Sequence, residues 1–221
     1  GGGTGLLGKR LSHSLMEKGH EVRHLSRRRN LDATFPAYSW NLDKMTIEED
    51  AFENVDYIIN LAGENLASKR WSKAQKKKIV ESRTQSTQLL QDSIQKMTQK
   101  PKAFISASAI GIYGDRGEEW LDENSGAGHG FVPKVVVEWE KSIQKIAQTG
   151  IRTVALRIGI VLSTKGGALE KMLIPFKFMN GSWFGDGQQY YSWIHIEDMT
   201  QMFVEAIENE KMEGIYNAVS P

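Results

Sequence analysis

A glycine run backed at once by a helical apolar stripe constrains this 221-residue chain more than any other feature. Gly2-Gly3-Thr4-Gly5-Leu6-Leu7-Gly8 is followed by Leu7, Leu11 and Leu15 at helical spacing, with Gly19 as the stop. Glycines there let the backbone turn tightly and meet a pyrophosphate with no Cβ in the way. The N–H groups and positive dipole end of the following helix then face the anion. The run predicts a phosphate cradle and, with it, a nucleotide ligand.

Glu21-Val22-Arg23-His24-Leu25 reads as a short strand, and Ser26-Arg27-Arg28-Arg29 ends it at the place where a dinucleotide fold meets the adenosine ribose. An acid there would hold a bare ribose hydroxyl. Serine and arginines instead suit a 2′-phosphate, so NADP(H) is expected over NAD(H). Arg29 is read as part of a solvated loop.

Downstream, strand and helix patterns alternate. Tyr57 to Ala62, Ala103 to Ser106, Arg152 to Ile158 and Trp193 to Ile196 read as strands. Ile79 to Met97, Pro133 to Ala147, Leu169 to Phe178 and Met199 to Asn209 read as helices. Such alternation predicts an α/β fold, a Rossmann-type doubly wound parallel sheet whose ligands lie at the C-terminal strand ends. That rule sets the glycine loop, Ser26, Ala62 and Ser106 along one crevice. Residues 1–162 are expected to form the dinucleotide-binding domain, and 163–221 mainly a small C-terminal substrate lobe with segments returning to the core. A first strand is expected before Gly1, and a further C-terminal part beyond Pro221.

Charge and composition exclude other classes. Against 27 acids stand 28 Lys and Arg, a net charge of +1, which gives no field for nucleic acid or a membrane surface. The chain has no cysteine, which removes disulfides, thiolate zinc sites and thiol catalysis and suits a reducing cytoplasm. No apolar run approaches the roughly 20 residues of a membrane span. His20 and His24 would stand about 13 Å apart on a strand, too far for one metal. The expected partner is a small-molecule substrate.

Several blocks together carry a resemblance: Asn60-Leu61-Ala62-Gly63-Glu64-Asn65, Arg70-Trp71, Ser82-Arg83, Ser106-Ala107-Ser108-Ala109-Ile110-Gly111-Ile112-Tyr113-Gly114, Trp139-Glu140, Leu156 to Leu162, Gly166-Gly167-Ala168-Leu169 and Ser192 to Asp198. With the glycine run they resemble the atypical, epimerase-like branch of the extended short-chain dehydrogenases/reductases. The resemblance implies an NADP(H)-binding Rossmann domain. It sets the pyrophosphate on Thr4, Gly5, Leu6 and Leu7 between Gly2 and Gly8, and the 2′-phosphate on Ser26 and Arg27. The backbone of Leu61, Ala62 and Gly63 would run along the cofactor, and that of Ile160 and Val161 would meet the carboxamide. Arg83 stands where ordinary members carry an asparagine near the cofactor.

The departure is catalytic. Ordinary members move a proton with a Tyr-xxx-Lys pair, and this chain has none; counting back from Glu140, the two positions fall on Val132 and Val136. Ser108 matches the usual serine, with one residue inserted before Tyr113, the best available proton donor. Lys134 and Glu64 are weaker substitutes. Trp183-Phe184, Tyr190-Tyr191 and Trp193 read equally as a stacking platform for substrate or as lobe core. Two classes stay open: an NADP(H)-dependent epimerase or oxidoreductase with unusual proton-transfer groups, or a nucleotide-binding protein without turnover.

Overall fold

The computed structural model describes residues 1–179, 181 and 186–221. Its centre is a parallel sheet of β4 (Tyr57–Asn60), β5 (Ala103–Ala109), β6 (Arg152–Ile158) and β9 (Gly214–Ala218), in that order. β5 is sealed on both faces: Ala103, Phe104 and Ile105 have no exposed surface, as a strand covered by helices above and below must. A second sheet joins β1 (His24–Ser26), β2 (Ala37–Asn41) and β3 (Thr46–Ile47). β1 and β2 run parallel, while β2 and β3 form an antiparallel pair that strict alternation does not anticipate. The strand read from Glu21 to Leu25 is also shifted, since β1 runs from His24 to Ser26.

Among the described residues five α-helices cover these sheets: α1 (Leu6–Glu17), α2 (Lys73–Lys96), α3 (Phe131–Ala147), α4 (Ala168–Lys177) and α5 (Ile196–Glu208). Ser72 caps α2 by accepting from Gln75 N at 3.2 Å, and Lys100 Nζ reaches back to the carbonyls of Ile94, Gln95 and Met97 at the far end. Ile79, Leu89, Leu90 and Ile94 give α2 its buried stripe. His195 caps α5 through Nδ1, and Arg10 of α1 grips Glu197 of α5 with Nε at 2.9 and 2.8 Å. The His195 to Asp198 segment is therefore structural.

β7 (Ile160–Leu162) and β8 (Trp193–His195) make a separate two-stranded parallel sheet beyond the end of β6. Val161, half-buried, sits in it opposite Ile194. Gly1 enters the glycine loop in strand register: its N–H groups reach Ile59 O at 2.8 Å, and its carbonyl accepts from Leu61 N at 3.0 Å. Among the described residues no helix is long and apolar enough to cross a membrane.

Candidate functional site

The glycine loop folds as a cradle at the C-terminal edge of the sheets. Gly2 holds φ at +81°, and a Cβ on it would stand 2.7 Å from the Leu61 carbonyl; one on Gly8 would stand 2.3 Å from Gly2 O. No L side chain fits at either place. Gly5 donates to Gly2 O at 3.1 Å, and Lys9 N is the first amide to close the helical ladder, onto Gly5 O at 2.9 Å. Among the described residues no side chain caps α1, and no acid lies in its first turn, so the first-turn N–H groups and the positive dipole end face outward beside exposed Thr4 and Gly5. An anion is the complement of such an end. Gly166 and Gly167, leading into α4, pack on Leu6 from the opposite side.

Ser26 ends β1 next to the loop, with its hydroxyl accepting weakly from Arg28 N at 3.4 Å. Arg27 and Arg28 are exposed and make no ion pair among the described residues, whereas Arg29 lies 3.6 Å from Glu48. Arg27 is thus an available cation at the predicted ribose position. Leu61 and Ala62 follow β4 and lie against Gly2 and Gly1. Asn60, fully buried, holds this turn by accepting from Ala62 N at 3.2 Å while its amide points at Ser86 and Thr87.

The neighbouring strand ends look different. Ser108, Arg157 and Asn217 occupy one level on β5, β6 and β9, each in register with the next, so all three project from the same face of the sheet. Ser108 Oγ donates to Glu140 Oε1 of α3 at 2.6 Å. Arg157 binds both oxygens of that carboxylate at 2.9 Å, and its Nη1 donates to the Tyr113 hydroxyl at 2.8 Å and to Glu123 O at 3.1 Å. The Glu140 carboxylate holds the guanidinium above its usual range. The proton of Tyr113 lies between Asp122 O at 2.9 Å and Asn217 Oδ1 at 2.7 Å. Asn217 N in turn donates to Glu123 Oε1 at 2.6 Å.

Both proposed proton-handling hydroxyls are therefore buried, Ser108 at 2 % and Tyr113 at 5 % exposure. Ser106 lies deeper still, fully buried with its hydroxyl turned back on Ala107 O. These placements set Ser106 inside the sheet rather than on the crevice wall.

Comparison with known proteins fits this geometry. Residues 1–218 match the model of the NAD-dependent epimerase/dehydratase family. The chain belongs to that family. It is 40 % identical to the epimerase family protein YfhF of Bacillus subtilis over all of this chain and 73 % of YfhF. It resembles the crystal structure of human epimerase family protein SDR39U1 with NADPH: TM-score 0.88 at 32 % identity, over the whole chain and 72 % of that one. The nucleoside-diphosphate sugar epimerase of Corynebacterium glutamicum follows at TM-score 0.86 and 34 % identity, over the whole chain and 45 % of that one.

Within this epimerase-family fold the usual tyrosine and lysine positions are apolar. Val136 is buried against Ile112 and Tyr113, and half-buried Val132 packs on the same cluster. Lys134 is exposed, and Glu64 is half-buried with Oε1 accepting from Gln75 Nε2 at 3.2 Å. Trp183 and Phe184 lie outside the described residues; Tyr190, Tyr191 and Trp193 are exposed. Among the described residues no cluster of His, Asp and Glu could hold a metal. Sequence reasoning overlooked the Glu140–Arg157 pair. Its signal was present: an arginine inside the apolar strand Leu156-Arg157-Ile158 must be paired or excluded from the core.

Proposed function

We propose that this chain binds NADP(H) and belongs to an epimerase or oxidoreductase acting on a nucleotide-sugar or another small carbonyl or hydroxyl compound, in a cytoplasmic setting. The observation that carries the reading is the uncapped α1 cradle together with exposed Arg27 just past the end of β1, which makes no ion pair among the described residues. Thr4 to Leu7 between Gly2 and Gly8 would hold the pyrophosphate, Ser26 and Arg27 the 2′-phosphate. Leu61 to Gly63, Arg83 and Val161 would complete the walls. Bound there, the nicotinamide supplies hydride exchange. The chain's own task is to keep the ligand oriented and to handle one proton, a role we assign to the hydroxyls of Ser108 and Tyr113.

A second reading is favoured by the burial of those two hydroxyls: the nucleotide sets a conformation and no turnover follows. Calorimetry with NADPH and NADH tests the cofactor choice. NADPH is expected to bind at least tenfold tighter, and Arg27→Ala to erase most of the difference, the size of one or two charged hydrogen bonds. Equal affinities in the unaltered protein would overturn it. NADPH oxidation with any member of a carbonyl and sugar-nucleotide panel would favour the enzyme; a raised melting temperature without oxidation would favour the second reading.

A further inference from the structure

Two blocks of opposite charge flank the start of α3, and neither neutralises the other. Residues 69–78 carry six Lys and Arg and no acid, whereas residues 115–123 carry five acids and one Arg. They converge on Phe131, the first residue of α3. Trp71 of the basic block packs against the Phe131 ring with centres 5.3 Å apart, and Lys76 Nζ lies 5.1 Å from that ring centre. The chain that leaves the acidic block runs into Phe131 after seven residues, 124–130. No ion pair joins the blocks among the described residues. Lys77 turns instead to Glu81 at 3.6 Å and Arg116 closes on Glu119 at 2.6 Å, while Lys69, Arg70, Lys73 and Glu118 make no ion pair.

Trp120 stands in the acidic loop with 98 % of its surface exposed. The loop around it is tied down: Arg116 holds Glu119 through Nε and Nη2 at 2.7 and 2.6 Å, Ser125 Oγ accepts from Asp122 N at 2.9 Å, Tyr113 donates to Asp122 O, and Leu121 packs on the cluster of Ile112, Tyr113 and Val136. A tryptophan fixed in water and rimmed by charge has the makeup of an interface anchor. The basic block offers the complement, since half-exposed Trp71 and half-buried Phe131 form an aromatic floor beside Lys73 and Lys76. We infer that this face is a self-association surface. In a twofold dimer Trp120 and Glu118 of one copy seat on Trp71, Lys73 and Lys76 of the other, and the reverse contact forms at the same time. A second copy is the occupant because both halves of the contact adjoin on one face, as an isologous interface requires. With a net charge of +1 the chain has no general attraction for a polyanion, so the acidic neighbour is the counterpart of the basic block.

Sedimentation velocity of the full chain in about 50 mM and about 500 mM salt tests it, because screening shortens the reach of exposed charges to roughly 4 Å at the higher concentration. A dimer is expected at low salt, and its dissociation constant should rise at least about tenfold at high salt. Trp120→Ala should weaken the dimer by roughly tenfold or more. Lys73→Glu with Lys76→Glu in one chain, and Glu118→Lys in another, should each weaken self-association. An equimolar mixture of the two should restore a dimer, since every contact then meets opposite charge again. Acids at positions 73 and 76 lie at the start of α2, where the helix end favours them. Melting temperatures show whether each variant is folded, and Lys73→Glu alone replaces the double variant if that one is not. A monomer at every concentration up to about 100 μM in low salt overturns the assignment, as does a dimer indifferent to Trp120→Ala and to both charge reversals. A monomer that binds a single-stranded oligonucleotide, and loses it on Lys73→Glu with Lys76→Glu, also overturns it and gives the basic block to nucleic acid.

Discussion

At the glycine loop, among the described residues, α1 begins without a side-chain cap, Arg27 has no ion pair, and Arg83 donates to carbonyls alone. A few strands away, the ends of β5, β6 and β9 carry as many polar groups, yet Ser108, Glu140, Arg157, Tyr113, Asn217 and Glu123 are all joined to one another. Both regions lie at the C-terminal edge of parallel strands, where ligands of such sheets collect. The difference teaches how to separate a binding surface from a structural one. A site awaiting an anion keeps donors unspent, whereas a buried cluster that holds the fold must satisfy every donor and acceptor internally.

The largest expected effect breaks that internally satisfied cluster. The side chains of Arg157 and Glu140 are 6 % and 11 % exposed, so Arg157→Met would leave a carboxylate buried without its cation. A loss of about 3–5 kcal/mol is expected, the usual cost of removing one partner of a buried pair. Urea denaturation measures it. A loss below about 1 kcal/mol would mean that solvent reaches Glu140, and the contrast between the two regions would fail.

Tyr113→Phe sharpens the same contrast. If the hydroxyl is structural, its removal strands Asn217 Oδ1 and one hydrogen bond of Arg157, for a loss of about 1–3 kcal/mol in stability with little change in NADPH affinity. If it also handles the substrate's proton, turnover with a matched substrate falls by roughly two to four orders of magnitude. Stability and single-turnover rates measured on one preparation distinguish the outcomes.

How much of this was written in the chain depends on the range of the interaction. The glycine cradle and β6 are local, and the Arg152 to Ile158 strand falls where it was expected, whereas α2 starts at Lys73 behind the Ser72 cap, six residues before the expected Ile79, because its first turns carry lysines rather than an apolar stripe. The β2–β3 pair was invisible because Trp40↔Ile47 is a short pairing whose apolar residues are few and interrupted. The polar row is a matter of register. That Ser108 meets Glu140, 32 residues on, follows from how α3 lies across β5, and periodicity carries no information on that. Ser108 was recognisable by type; its commitment to Glu140 was not.

The smallest effect concerns His24, at the seam between the two sheets beneath the cradle. Ser12 Oγ gives its proton to Gly8 O at 2.8 Å, so the 2.8 Å contact with His24 requires Nε2 to donate. Burial lowers the His24 pKa below its ordinary value. The unfolded chain therefore takes up a proton first as pH falls. The contribution of His24 to stability is constant above about pH 6.5 and is lost below it, down through the folded-state pKa. Other groups titrate over the same range, so the histidine is identified by the difference between the unaltered protein and His24→Gln. Denaturation midpoints at pH 7.5 and 5 should fall further in the unaltered protein than in the variant, because only the former must discharge a ring beside the phosphate loop to stay folded. Equal falls would mean that the ring is solvated in the native state, and the cradle would rest on a looser floor than the Ser12 and Gly8 hydrogen bonds describe.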